Sequence, residues 1–170
     1  SPTPLTTEDE VHCDAVDADP DGDSTTQEVR WYIGDEEVVG SGSVLSPLRV
    51  RRGDLVSCGV ASTDGTVTSE ERLSGQVLVE NALPEVLSAT ILPSSPGVSD
   101  MLSVVDLVVS DADLDEVSTR IYWWADGVLI GHGETLDPPL LVDATVVAEI
   151  YPFDGWSEGA VYRTTQVQVE

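Results

Sequence analysis

Apolar and polar residues alternate along short runs of this chain, the period of a strand with one buried face. Val11, Cys13 and Ala15 point one way with His12 and Asp14 the other, and Val105, Leu107 and Val109 repeat the pattern. A second pair of runs carries Val29, Trp31 and Ile33, or Ile121, Trp123 and Ala125. A third carries Val56, Cys58 and Val60, or Val146, Ala148 and Ile150. Final strands present Val77 and Val79, or Val167 and Val169. Gly, Pro, Asp and Ser separate the runs, and no stretch sustains a capped 3.6-residue period. The reading is all-β with scarce helix.

Every run occurs twice because the sequence repeats internally. C-D-A-V-D-A-D-P-D (13–21) matches L-V-V-S-D-A-D-L-D (107–115), and V-R-W-Y-I-G-D (29–35) matches I-Y-W-W-A-D-G (121–127). D-L-V-S-C-G-V-A-S-T-D-G (54–65) matches A-T-V-V-A-E-I-Y-P-F-D-G (144–155), and Q-V-L-V-E (76–80) matches Q-V-Q-V-E (166–170). In that alignment Asp17 pairs with Asp111, Trp31 with Trp123 and Asp64 with Asp154. Two tandem antiparallel β-sandwiches follow, residues 1–81 and 82–170, joined near Asn81-Ala82-Leu83-Pro84. In the second copy the run 86–92 precedes the first repeated strand. The first copy begins at the turn that follows that run, so its sandwich is expected to lack an A strand of its own. The strand is expected from a longer array or from another subunit.

Cys13, Trp31 and Cys58 stand in the order and rough spacing of the B-strand cysteine, C-strand tryptophan and F-strand cysteine of immunoglobulin-like (Ig-like) domains. The whole chain resembles the tandem Ig-like, PKD-like or cadherin-like repeats of large secreted or cell-surface bacterial proteins. That resemblance implies non-enzymatic structural or adhesive work outside the cell, with neighbouring repeats or identical subunits as partners. Departures are visible. Leu107 and Ala148 stand where the alignment puts the cysteines of the second copy, and Val56 and Val146 replace a corner tyrosine. Trp31 is followed by Y-I-G-D and Trp123 by W-A-D-G, where a PKD repeat reads W-D-F-G-D-G.

Charge narrows the function classes. The 170 residues hold 32 Asp and Glu against seven Arg and no Lys, a formal net charge of −25. Nucleic acid is set aside, since it needs clustered cations and only Arg49, Arg51 and Arg52 gather. No apolar run approaches the roughly 18 residues of a membrane-spanning helix. Such negative density repels itself, and divalent cations would relieve it, although an acidic surface also keeps a protein soluble without them. The two cysteines form an even pair without C-x-x-C spacing, which fits a disulfide in an oxidising compartment; two buried free thiols are the alternative. Such a bridge would restrict the unfolded chain by about 4 kcal/mol.

Asp17-Ala18-Asp19-Pro20-Asp21-Gly22, then five residues and Glu28, fits the D-x-D-x-D-G-x5-E spacing of a calcium loop, with Asp23 beside it. Its flanks read as strands, so the expectation is a calcium loop between strands B and C, with a solvated acidic loop as the plain alternative. The second copy offers Asp111, Asp113, Asp115 and Glu116 without the glycine or the closing Glu, and a weaker site is expected there. Asp64-Gly65 and Asp154-Gly155 recur in the F–G turns at the same end of each sandwich, as added ligands or, more simply, as Asp-Gly turns.

Trp124 and Trp156 are candidate binding aromatics for a surface glycan or protein. Catalysis finds little footing: His12 and His132 have no recognisable nucleophile motif near them.

Overall fold

The computed structural model describes residues 4–38 and 42–170. The described residues up to Ala82 form one compact unit, and Leu83–Glu170 forms a second. Unit 1 contains β1 (Val11–His12), β2 (Thr26–Ile33), β3 (Glu36–Val38), β4 (Val44–Leu45), β5 (Leu55–Thr63), β6 (Arg72–Leu73) and β7 (Val77–Leu78). A 3₁₀ turn spans Pro47–Arg49. Unit 2 contains β8 (Glu85–Leu92), β9 (Leu102–Ser110), β10 (Ser118–Ala125), β11 (Val128–His132), β12 (Thr135–Leu136), β13 (Thr145–Phe153), β14 (Tyr162–Arg163) and β15 (Val167–Gln168).

Each unit is an antiparallel Ig-like sandwich. In unit 1 one sheet runs β3-β2-β5-β6 with β7 also on β5, and the other is β1-β4. In unit 2 the corresponding sheets are β11-β10-β13-β14, with β15 on β13, and β12-β9-β8. Short hairpin signals set the first sheet: Asp126-Gly127 closes β10 onto β11 with positive φ at both residues, the geometry whose twist matches paired strands.

Trp31 and Trp123 fill the two cores. Each buried indole N–H finds a backbone carbonyl, Gly42 at 3.1 Å and Gly133 at 2.9 Å. The bond satisfies the one polar atom that a buried tryptophan carries. Cys13 and Cys58 are disulfide-bonded across unit 1, and no free cysteine remains.

A second repeated device interrupts the last strand of each sandwich. Thr164 breaks β14 from β15, accepts the Ala148 N–H on its hydroxyl at 3.0 Å and donates its own N–H to the Ala148 carbonyl. Ser74 does the same for Cys58 in unit 1.

The structure corrects the alternation expected in β9. Val104, Leu107 and Val109 pack against the core, so the inward set changes phase between 104 and 107. The cause is a bulge: Asp106 has φ 51°, and pairing with β8 shifts register nearby. One extra residue flips every later side chain to the other face. The place of Cys13 therefore belongs to Val104, not Leu107: Cys13 N–H donates to Ser43 O as Val104 N–H does to Glu134 O. Ala15 and Val77, expected to face inward, are exposed.

Among the described residues of unit 1 no strand takes the place of β8. Leu5 makes a single parallel bridge to Val79 and accepts from Glu80 N–H, as Pro96 accepts from Glu170 N–H in unit 2. Unit 1 accordingly has the smaller buried core, while in unit 2 β8 adds Val86, Ala89 and Ile91.

Candidate metal centre

The loop between β9 and β10 starts directly from the core. Ser110, the last residue of β9, pairs with Glu85 at the start of β8, and Asp111 follows it. Asp111 is 8 % exposed. Its Oδ1 accepts the backbone N–H groups of Asp113 at 2.9 Å and Asp115 at 3.1 Å, and Leu114 N–H closes onto the Asp111 carbonyl at 3.2 Å. This tight turn draws three carboxylates inward. Oxygens of Asp111, Asp113 and Asp115 lie within 4.8 Å of one another. Asp111 Oδ2 is fully buried and has no hydrogen-bond partner.

The same turn exists in unit 1, two residues away from where the sequence alignment places it. Asp19 Oδ1 accepts from Asp21 N–H at 2.8 Å and Asp23 N–H at 3.2 Å, and Gly22 N–H closes onto the Asp19 carbonyl. Asp19 is thus the counterpart of Asp111, Asp21 of Asp113 and Asp23 of Asp115. The expected pairing of Asp17 with Asp111 is corrected: the shared Asp-Ala-Asp run aligns the two sequences two residues away from their structural register. Gly22 has φ +84° and its counterpart Leu114 φ +65°, so a leucine holds the left-handed position that glycine occupies in unit 1.

Among the described residues only the unit 2 trio brings three candidate ligands together. The unit 1 carboxylates stand apart for identifiable reasons. Asp17 takes the Thr25 hydroxyl on Oδ2, and that bond holds its carboxyl below the usual range. Asp21 and Asp23 are exposed, and no packing holds their carboxylates in place. Glu28 lies on β2, beside Arg30 at 3.4 Å, instead of closing the loop. Glu116 is exposed and outside the trio.

Asp64 and Asp154 build turns. Asp64 Oδ1 accepts from Thr66 N–H and Val67 N–H at 2.6 and 2.7 Å, and these amides, Val67 first, hold its pKa low. Asp154 Oδ1 accepts from Trp156 and Ser157 at 2.7 and 2.6 Å. Trp156 is exposed in that turn, and Trp124 is half-buried on β10. The sequence pattern gave no sign of the Asp106 bulge or of Asp111 being buried.

No protein family matches the chain, and no curated protein does. Among solved structures it is similar to a crystal structure of domains from titin at 10% identity, covering 85% of this chain and 55% of that one, with TM-score 0.39. It is also similar to the full ectodomain of mouse nectin-like molecule 4, with its three Ig domains, at 17% identity, covering 85% and 54%, with TM-score 0.33. The chain spans about half the length of both.

Proposed function

We propose that this chain is a non-enzymatic structural or adhesive module of an extracellular protein, whose second Ig-like unit is stabilised by calcium at Asp111, Asp113 and Asp115. The observation that carries the reading is a buried, partnerless oxygen, Asp111 Oδ2, on a residue whose carboxylate lies within 4.8 Å of two others. Burying a carboxylate oxygen without a partner is costly, and three like charges this close repel by several kcal/mol in total at an effective dielectric of about 20. One divalent cation offsets both. An all-oxygen, carboxylate-rich donor set selects a hard ion, and an irregular loop suits the adaptable shell of calcium better than the strict octahedron of magnesium. The disulfide supports an oxidising, extracellular setting.

Calorimetric titration of the full chain with calcium tests this. The expected affinity is about 0.1 to 1 mM, as in extracellular modules. Asp111→Asn should abolish binding and Asp19→Asn should leave it unchanged. Equal loss in both variants, or no heat in wild type, would refute the site.

A second reading, an extracellular filament or surface layer assembled by strand complementation, is favoured by one comparison. In unit 2 Pro84 packs against Gly159 and Pro152 at the start of β8. In unit 1 their counterparts Ser69 and Ser62 line an open cavity of about 410 Å³ with Ala15, Val16 and Val60. An extended strand from another subunit would fit beside β1. Sedimentation of the full chain as a monomer at high concentration would remove this reading.

A further inference from the structure

We infer that the outer face of the β10–β13 sheet in unit 2 is a binding site for a neutral saccharide chain. Side chains that alternate away from the core gather there: Arg120, Tyr122 and Trp124 from β10, Glu149 and Tyr151 from β13. Tyr122 and Tyr151 meet edge to face, ring centres 5.5 Å apart. Three shallow depressions follow one another along β10. One of about 430 Å³ lies between Tyr122 and His132, one of about 400 Å³ between Tyr122, Trp124 and Tyr151, and one of about 220 Å³ between Trp124 and Arg163. Tyr122 and Trp124 are the walls between them, set about 7 Å apart by the strand rise.

The polar groups on this face come as neutralised pairs. Arg163 binds the Glu149 carboxylate, which also accepts the Tyr151 hydroxyl at 3.2 Å, and Arg120 binds Glu158. Each pair offers donors and acceptors side by side, the combination a sugar hydroxyl uses, with aromatic surface between for its C–H faces. The buried Trp124 Nε1 lies near Glu149 and adds to the lowering of its carboxyl pKa.

Two comparisons sharpen the assignment. The fold does not demand these residues, because the matching strand positions in unit 1 are Arg30 for Tyr122, Tyr32 for Trp124, Gly59 for Glu149, Ala61 for Tyr151 and Leu73 for Arg163. The chain's charge of −25 repels anionic glycans and acidic partners, and the face's two guanidinium groups are already engaged by carboxylates. A neutral ligand is what remains compatible.

The test uses the full chain on an array carrying neutral and sialylated oligosaccharides, followed by titration with the strongest neutral probe. Wild type should bind neutral glycans only. Trp124→Ala should weaken binding by roughly tenfold, as loss of an aromatic contact does, and Tyr32→Ala in unit 1 should not. Leu129 is exposed beside Trp124, so Leu129→Asp keeps the fold and should also weaken binding. Binding unaffected by both unit 2 variants, binding to sialylated glycans alone, absence of glycan binding, or a self-association that Leu129→Asp abolishes would each overturn the inference.

Discussion

Adding one methyl group at Gly159 should undo the start of unit 2. A Cβ there would sit 1.8 Å from the Pro84 carbonyl oxygen, 2.9 Å from its carbon and 3.1 Å from Pro152 Cγ. The obstacle is backbone, so it cannot rotate away as a side chain would. Pro84 is itself fully buried, and relief requires lifting the leading end of β8 by more than about 1 Å. Overpacking of this kind costs about 1–3 kcal/mol, and the lost seat of Pro84 puts Gly159→Ala at the upper end. For a unit of roughly 90 residues, about 3 kcal/mol corresponds to a fall in Tm of roughly 10 to 20 °C. Gly75 is the control: a Cβ there meets nothing within 4 Å and its φ is not positive. Gly75→Ala should be neutral or stabilising by up to about 1 kcal/mol through the unfolded chain. Scanning calorimetry of the full-length variants reads both. A Gly159→Ala protein whose transitions all stay within about 2 °C of wild type would refute the reasoning.

Thr164→Val keeps shape but leaves the buried Ala148 N–H without its hydroxyl acceptor, and urea denaturation should show a loss of about 1–3 kcal/mol. Leu114→Gly removes a leucine from φ +65° at a 91 % exposed position; the relieved strain of about 1–2 kcal/mol exceeds the entropic cost of glycine of about 0.5–1 kcal/mol, so Tm should rise slightly. The Arg163 guanidinium, opposed by burial and aided by the Tyr151 hydroxyl, holds the Glu149 carboxyl below its ordinary value of 4.5. A depressed native pKa adds stability above that ordinary value and loses it as pH falls through the native one. Glu149→Gln should therefore flatten the acid limb of a stability-against-pH curve, and high salt should blunt the effect because Arg163 is mostly exposed.

Strand alternation around Trp31, Trp123, Val146 and Ile150 was legible because each has a period of two and a buried partner sheet. The repeat made the tandem architecture legible as well. The Cys13–Cys58 bridge followed from the pairing of two lone cysteines. What the sequence concealed was phase. The Asp106 bulge has no compositional mark, and the shared Asp-Ala-Asp run matched Asp17, not Asp19, with Asp111. The calcium-type spacing was most complete in the first copy, yet the carboxylates converge in the second. Spacing counts residues, whereas convergence needs a rigid origin: Asp111 is itself buried at the end of the nine-residue β9, while the unit 1 loop leaves the two-residue β1 and lies in solvent. Leu114 in a glycine's conformation was invisible for the same reason, since the turn is held by Asp111 and not by its own residue preference.

The most direct measurement is a crystal structure of the full chain grown with calcium, using the anomalous signal to locate ions. The proposed site requires a peak 2.3 to 2.6 Å from Asp111 Oδ2, shared with Asp113 and Asp115. Density at Asp17 to Asp23 with none at Asp111, or a buried Asp111 oxygen that stays metal-free at saturating calcium, would contradict it.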